Sequence, residues 1–378
     1  MTSREYGYYK RVLRATTTIC CGLAIGAGLL LPQTPPAPPA PGQAVPARKA
    51  PAPTWQLELP TGGDVALAIG DDAVFLGDTA GTIRAFVLTD GSLRWEVPTA
   101  PGIRLAAGRD AVFVVAAGTL ASRAAADGRV QWTQPMPDGP VTLAWHLDRV
   151  AVTSGAHARL YDGHGQVEAT LAFPGELAFA PVLDADRVAG AIVGGGLAVF
   201  ERPSPTTPAW TSAPLPGPID ALTLDGDRLL ASAADGSLSA FAIGRHGHHA
   251  RPEWRYELYR QASGAPAVDG RAVFVATLDN TLHAIDRLSG SRRWHRPLGG
   301  RPIGAVLSSG ERVVVLVADG SVAVINARTG AGIARLAMEG QTEQLLAAGL
   351  VSGEAPAVVT VTANTSGLNV LRLWRLDP

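Results

Sequence analysis

The stretch SGAPAVDGRAVFVATLDNTLHAIDRLSGSRRW, residues Ser263–Trp294, sets the grammar of the whole chain. An apolar strand ends in a turn marked by Gly or Asp. A second strand ends in Asp-x-x-x-Gly, and a third opens on Trp. DVALAIGDDAVFLGDTAGTIRAFVLTDGSLRW, residues Asp64–Trp95, follows the same grammar. A module of about forty residues that returns eight times is one supersecondary unit reused, so the period decides the architecture before any single motif does.

The start of the last strand of each copy falls at Trp55, Trp95, Trp132, Ala169, Trp210, Trp254, Trp294 and Ala334, at intervals of 40, 37, 37, 41, 44, 40 and 40 residues. Four short strands and their turns fit that spacing, as in a propeller blade. Leucine-rich repeats are shorter, and helical repeats need a 3.6-residue apolar period that is absent here. The final copy, from about Gln341 to Asp377, carries three strands: EQLLAAG, PAVVTVTA and LNVLRLW. TWQLELP, Thr54 to Pro60, can supply the fourth and leave no sheet edge open. The expected fold is an all-β, eight-bladed β-propeller of four-stranded antiparallel blades, its last blade closed by the strand at Trp55.

The strands fit that placement. Blade sheets are covered on both faces, so inner strands should be almost continuously apolar, as AVFVATL (Ala272 to Leu278) and RVVVLVA (Arg312 to Ala318) are. Outermost strands carry charge that keeps the rim unpaired: SLRWEV, SRRWHR, EWRYEL. Turns are Gly-marked, as at Asp90-Gly91, Asp127-Gly128 and Asp319-Gly320.

The chain has 378 residues, of which about 325 belong to the repeat, enough for one closed domain. Charged residues make up only 17 %, and the 43 Gly and 29 Pro suit a turn-rich all-β protein. A net charge of −1 gives no basis for a nucleic-acid partner.

The first residues read as a targeting device. A basic tail, residues 1–14 with Arg4, Lys10, Arg11 and Arg14, precedes an apolar run over residues 15–31. Basic before apolar keeps the tail in the cytoplasm and exports the rest. The run is long for a signal peptide and short for a span. With no close small-x-small cleavage site, it reads as an uncleaved anchor before a cleaved signal. Residues 32–53 hold nine Pro and six Ala, an extended spacer. The propeller domain is then 54–378, on the extracytoplasmic side of a bacterial cell envelope. Both cysteines, Cys20 and Cys21, lie in the apolar run, so the exported domain needs no disulfide. A lipoprotein signal needs small residues before its Cys, whereas Thr17-Thr18-Ile19 precede Cys20.

AFVLTDGSLRW (Ala85–Trp95) and AIDRLSGSRRW (Ala284–Trp294) resemble the tryptophan-docking motif of pyrroloquinoline-quinone-type propeller repeats. There a small residue precedes Trp by ten positions with a Gly between. Trp132 keeps the motif with Ser122, Trp210 and Trp254 follow longer insertions, and Ala169 and Ala334 have lost the ring. The resemblance implies that Trp55, Trp95, Trp132, Trp210, Trp254 and Trp294 dock on the neighbouring blade through the Ala position. It covers nearly everything from Thr54 on. It also implies two branches of function: quinoprotein dehydrogenases with quinone and calcium at the centre, and cofactor-free scaffolds that include the propeller lipoprotein of the outer-membrane barrel-assembly machine.

The dehydrogenase branch would need hard oxygen ligands for calcium and stacking groups for the quinone. By resemblance it would also use an adjacent Cys pair, and here the only such pair lies in the membrane segment. The innermost strands present small and apolar side chains to the axis. Asp220 and Asp269 are the tempting carboxylates and are expected in turns or at strand ends. His246-Gly247-His248-His249 could hold a transition metal but has no Cys, Asp or Glu in its run, and reads as a polar loop. His283 and His295 read as packing or rim residues. Gly194-Gly195-Gly196 lacks the Lys and helix of a phosphate loop and reads as a turn.

Tyr256, Tyr259 and Arg260 form the densest aromatic–Arg patch beside Trp254, the composition favoured in protein interfaces. The expectation is a monomeric, membrane-tethered, non-catalytic scaffold with no cofactor or metal. It would bind envelope or membrane proteins, in outer-membrane protein assembly. A quinone- and calcium-dependent dehydrogenase and a ligand-binding sensor ectodomain are the alternatives.

Overall fold

Runs such as AVFLGD (Ala73–Asp78) and AVFVAT (Ala272–Thr277) are buried at every position, because each sheet is covered on both faces. The computed structural model describes residues 52–136, 141–201, 207–243, 251–336, 344–351 and 357–375. The basic tail, the apolar run and most of the Pro/Ala segment lie outside those residues, as does the His246–His249 run.

The described chain forms eight four-stranded antiparallel sheets. In chain order the blades span residues 65–98 (I), 104–135 (II), 142–172 (III), 182–211 (IV), 219–257 (V), 267–297 (VI), 302–336 (VII) and 344–375 (VIII). Blade VIII takes its outermost strand, Trp55–Glu58, from the other end of the repeat region. Trp55 lies opposite Leu373 and Glu58 opposite Val370. The ladder is extended by Thr54 N–H to the Leu373 carbonyl (2.7 Å) and Leu59 N–H to the Asn369 carbonyl (2.8 Å). The clasp expected at Trp55 is therefore present.

Eight apolar clusters each join two consecutive blades. One of them packs Val74, Leu76 and Phe86 of blade I on Val359, Leu371 and Leu373 of blade VIII, and so closes the ring. Among the described residues, links between blades share one face of the disc with the turns between second and third strands; we call it the link face. The other described turns lie on the opposite, dock face. The chain enters its first strand and leaves its last one there, since Trp55 lies opposite Leu373 in the ladder.

Candidate interaction surface and the seams behind it

In four blades the Trp at the start of the outer strand sits directly opposite its small residue in its own blade: Ala85↔Trp95, Ser122↔Trp132, Ala240↔Trp254 and Ala284↔Trp294. This corrects the expectation that the indole docks on the next blade through that position. The small residue clears space within the blade, and the ring reaches forward to a glycine in the next blade's outer turn. A Cβ built on Gly91 would stand 2.8 Å from Trp55, on Gly128 2.9 Å from Trp95, and on Gly165 2.6 Å from Trp132. On Gly290 it would stand 2.6 Å from Trp254, and on Gly330 2.9 Å from Trp294. Only hydrogen fits there. Gly91 and Gly330 also have φ of +75° and +71°, which other residues adopt at a cost.

The indole N–H completes the lock. Nε1 donates to a carbonyl in the same receiving turn: Trp55 to Leu88 (3.0 Å), Trp95 to Ala125 (2.9 Å), Trp132 to Gly163 (2.9 Å), Trp254 to Arg287 (3.1 Å) and Trp294 to Ala327 (3.0 Å). A Phe of the home blade lies against the ring in three cases, with centroids 5.8–6.0 Å apart. Two residues beyond the Trp, Gln134 donates to the Gly165 carbonyl and Arg296 to the Gly330 carbonyl, both at 2.8 Å. Val97 occupies that place in blade I and cannot donate. Arg123 of blade II bonds the Gly128 carbonyl instead (2.8 Å).

The missing rings now have reasons. Ala334 faces blade VIII, whose third and fourth strands come from opposite ends of the domain and share no turn. Trp374 of blade VIII fills that seam from the other side, packing with Ala334 and Leu336. At Ala169 the seam is filled by Phe173 on Phe200, edge-on at 4.8 Å. Trp210 packs in the IV–V seam. The turn that would receive it falls in residues outside those described.

The Tyr256–Arg260 patch does not form one surface. Tyr256 is half-buried in the V–VI seam, edge-on to His283 at 6.0 Å, and burial raises its pKa. Tyr259 and Arg260 lie on the link face between blades V and VI. Tyr259 is 59 % exposed with φ +62°, a left-handed conformation strained for a bulky residue. Arg260 donates to the Tyr259 carbonyl at 3.4 Å. Gly236 lies beneath, with room for no Cβ against the Arg260 N–H (2.9 Å). Val193, 62 % exposed, stands on the same face at the tip of blade IV.

Asp269 sits in a turn as expected, accepting from the Arg271 and Ala272 N–H groups. Asp220 does not: it lies inside the strand Ile219–Asp225, at a bulge between Ile219 and Ala221. Both its carboxylate oxygens are buried without a hydrogen bond of regular geometry among the described residues. Burial pushes its pKa up to about 6; the Gln261 amide opposes the rise and the Asp235 charge adds to it. His283 is buried in the same seam. Its Nε2 meets the Thr277 hydroxyl at 3.3 Å and its Nδ1 has no partner. Burial pushes its pKa down to about 4, opposed by Asp279 and reinforced by His295 and Arg292. The neighbouring His295 is also lowered, by burial and Arg292. No group of three or more His, Cys, Asp or Glu converges among the described residues.

The repeat region finds its match in one family. Residues 47–245 and 250–375 match outer membrane protein assembly factor BamB. The chain belongs to this family. The crystal structure of BamB from Moraxella catarrhalis is 20 % identical, with a TM-score of 0.64 over 86 % of this chain and 98 % of that one. A computationally designed protein, Ika8, gives 18 % identity and a TM-score of 0.69 over 84 % and 98 %. Sqt1 from Saccharomyces cerevisiae gives 10 % and 0.69 over 85 % and 98 %. At these identities the solved structures show the propeller fold alone. No curated protein matches the chain significantly. Among proteins of this BamB type, the resemblance suggests a scaffold for protein partners.

Proposed function

We propose that this protein is a non-catalytic interaction scaffold of the bacterial envelope. Residues 15–31 hold it to the membrane, residues 32–53 set it off from the surface, and a monomeric propeller engages envelope or membrane proteins. The process it serves on this reading is outer-membrane protein assembly. The observation that carries the reading is the BamB-family match across both halves of the ring.

The geometry supports it in two ways. Closed seams make the ring a rigid frame on which loops can present side chains. The chain enters its first strand on the dock face, opposite the link face that carries Tyr259 and Arg260. A rigid, exposed aromatic beside a cation is the make-up of an interface anchor.

A quinone and calcium reading finds less support. The channel-side carboxylate Asp220 has both oxygens buried at a blade seam, and Asp269 Oδ1 serves its own turn. The test is capture of partners from a detergent extract of the source envelope by the full chain, with Tyr259→Ala and Arg260→Ala as comparisons. Specific enrichment of an envelope protein, lost in both variants, is the expected result. Equal capture by wild type and variants removes the patch from the reading. Dye reduction dependent on added quinone and calcium overturns the non-catalytic assignment.

A further inference from the structure

The V–VI seam differs from its neighbours in what it buries. Asp220, the Ser232 hydroxyl and His283 Nδ1 all lie in it without a hydrogen bond of regular geometry among the described residues. Ser232 stands opposite Leu238 in the ladder and so faces blade VI with it. The seam is bridged on the link face by a strap, residues 258–263. Leu258 N–H bonds the Gly236 carbonyl of blade V (2.8 Å). At the other end, Ser263 N–H bonds the Ala276 carbonyl (2.8 Å) and Leu278 N–H bonds the Gln261 carbonyl (3.0 Å), both on blade VI. Between those stitches sit Tyr259, in its strained conformation, and Arg260. The strap's own Gln261 is the side chain that acts on Asp220.

We propose that this seam is a proton-controlled joint: neutral Asp220 lets the strap 258–263 stay closed on both blades, and ionised Asp220 favours its opening. A buried carboxylate with no hydrogen bond of regular geometry, and only the Gln261 amide acting to favour its charge, is tolerated as the neutral acid and disfavoured as the anion. The cheapest relief for the anion is water, and the nearest cover to lift is the strap, whose backbone is bonded to blade V at Leu258 and to blade VI from Gln261 onward.

The other charged groups of the seam are accounted for. Asp235 is tied to Arg255 (3.0 Å), which also holds Glu257 (2.9 Å). Asp279 accepts from Thr277 (2.6 Å). His283 sits against Tyr256 and His295, with Arg292 acting on it, and it titrates in the opposite sense. The proposal does not rest on the identity of any partner. Its consequence is that Tyr259 and Arg260 are presented differently on the two sides of the Asp220 titration.

The experiment is amide hydrogen exchange of the full chain at pH 5.0 and 7.5, corrected for intrinsic rates, with Asp220→Asn measured in parallel. The ratio of wild-type to variant opening within 258–263 isolates Asp220 from His283. With a carboxyl that titrates near pH 6, that ratio is expected to rise about tenfold between the two pH values. Asp220→Ser repeats the test with the residue that blade VI carries at the matching place, Ser263, should the Asn variant not fold. A ratio that stays constant with pH in the strap, or a pH-dependent rise only outside it, overturns the joint.

Discussion

The VI–VII and V–VI seams share one lock and differ in everything above it. In both, an indole lies on a glycine and its N–H meets a turn carbonyl, Trp294 on Gly330 and Trp254 on Gly290. Beyond the lock, VI–VII is filled mainly by hydrocarbon, with Phe274, Leu282, Val313, Val315 and Val317 all but fully buried, and its polar groups include the Arg296 guanidinium and two serine hydroxyls bonded to carbonyls across the seam. V–VI keeps a carboxylate, a hydroxyl and an imidazole in the corresponding space. The lock is thus a modular device at the dock face that holds adjacent blades whatever fills the rest of the seam. The polar filling in V–VI is a local specialisation, next to the exposed Tyr259.

The sharpest way to break the lock is Trp294→Ala. It removes a large half-buried ring, its hydrogen bond and its contact with Phe274. The loss expected is about 3–5 kcal/mol by urea unfolding. Trp254→Ala should cost a similar amount, since the lock is the same in both seams. A much smaller cost at either site would show that the filling, not the lock, carries the seam.

Asp220→Asn tests the filling. A group whose folded pKa is raised, from 3.8 to about 6, binds its proton more tightly in the folded state. Its favourable contribution is complete below pH 3.8 and is lost as pH rises through about 6. Relative to wild type, Asp220→Asn should gain about 3 kcal/mol at pH 8 and nothing below pH 3.8. His283 has the reverse sign. Its folded pKa is lowered from 6.5 to about 4, so stability is full above pH 6.5 and is lost as pH falls toward 4. His283→Gln should therefore be protected only at low pH, by about 3 kcal/mol. The two slopes oppose each other between pH 4 and 6. The wild-type melting temperature should vary less across that range than that of either single variant, as scanning calorimetry would show.

The architecture was legible because the period is a property of the chain itself. The spacing of the outer-strand starts, six Trp and two Ala, counted eight blades, and the three-strand final copy required Trp55–Glu58 as its fourth. The direction of docking was not legible. The glycine four residues before Trp95, Trp132 and Trp294 looks like part of that residue's own turn, yet it receives the ring of the preceding blade. Reading Gly91 with Trp55, and Gly330 with Trp294, would have revealed this. It would also have explained Ala334, which has no turn ahead of it. Asp220 was visible as a carboxylate but not as a buried one, because a bulge changes which side of a strand a residue faces without a mark in the sequence. Tyr256 and Tyr259 are three residues apart, yet one enters a seam and the other meets solvent, because the strand ends between them at Glu257.

Gly330→Ala separates steric docking from backbone strain. Gly330 combines φ +71° with a ring 2.9 Å from where Cβ would be. Gly226 has φ +58° and open space around the same point. Backbone strain alone should make Gly226→Ala cost about 1 kcal/mol. Gly330→Ala should cost about 2 kcal/mol or more, because the ring must also move. Equal losses would mean that the indole yields freely and that glycine is required for conformation alone.

The smallest effect tests why V–VI can spare its counterpart of Arg296. Two residues past Trp294, Arg296 donates to the Gly330 carbonyl; two past Trp254, Tyr256 turns instead to His283. Arg296→Met keeps much of the aliphatic bulk and removes the donor. Loss of about 1 kcal/mol is expected, the ordinary worth of a part-buried hydrogen bond to a carbonyl. Tyr256→Arg runs the exchange the other way and places a donor within reach of the Gly290 carbonyl. It also removes the ring that lies edge-on to His283 and leaves a cation beside an imidazole that already resists protonation. A net destabilisation in urea would show that V–VI is built around the Tyr256–His283 pair rather than being an apolar seam with a missing bond. A net gain would mean that the polar filling is incidental and that V–VI lacks only the donor which VI–VII has.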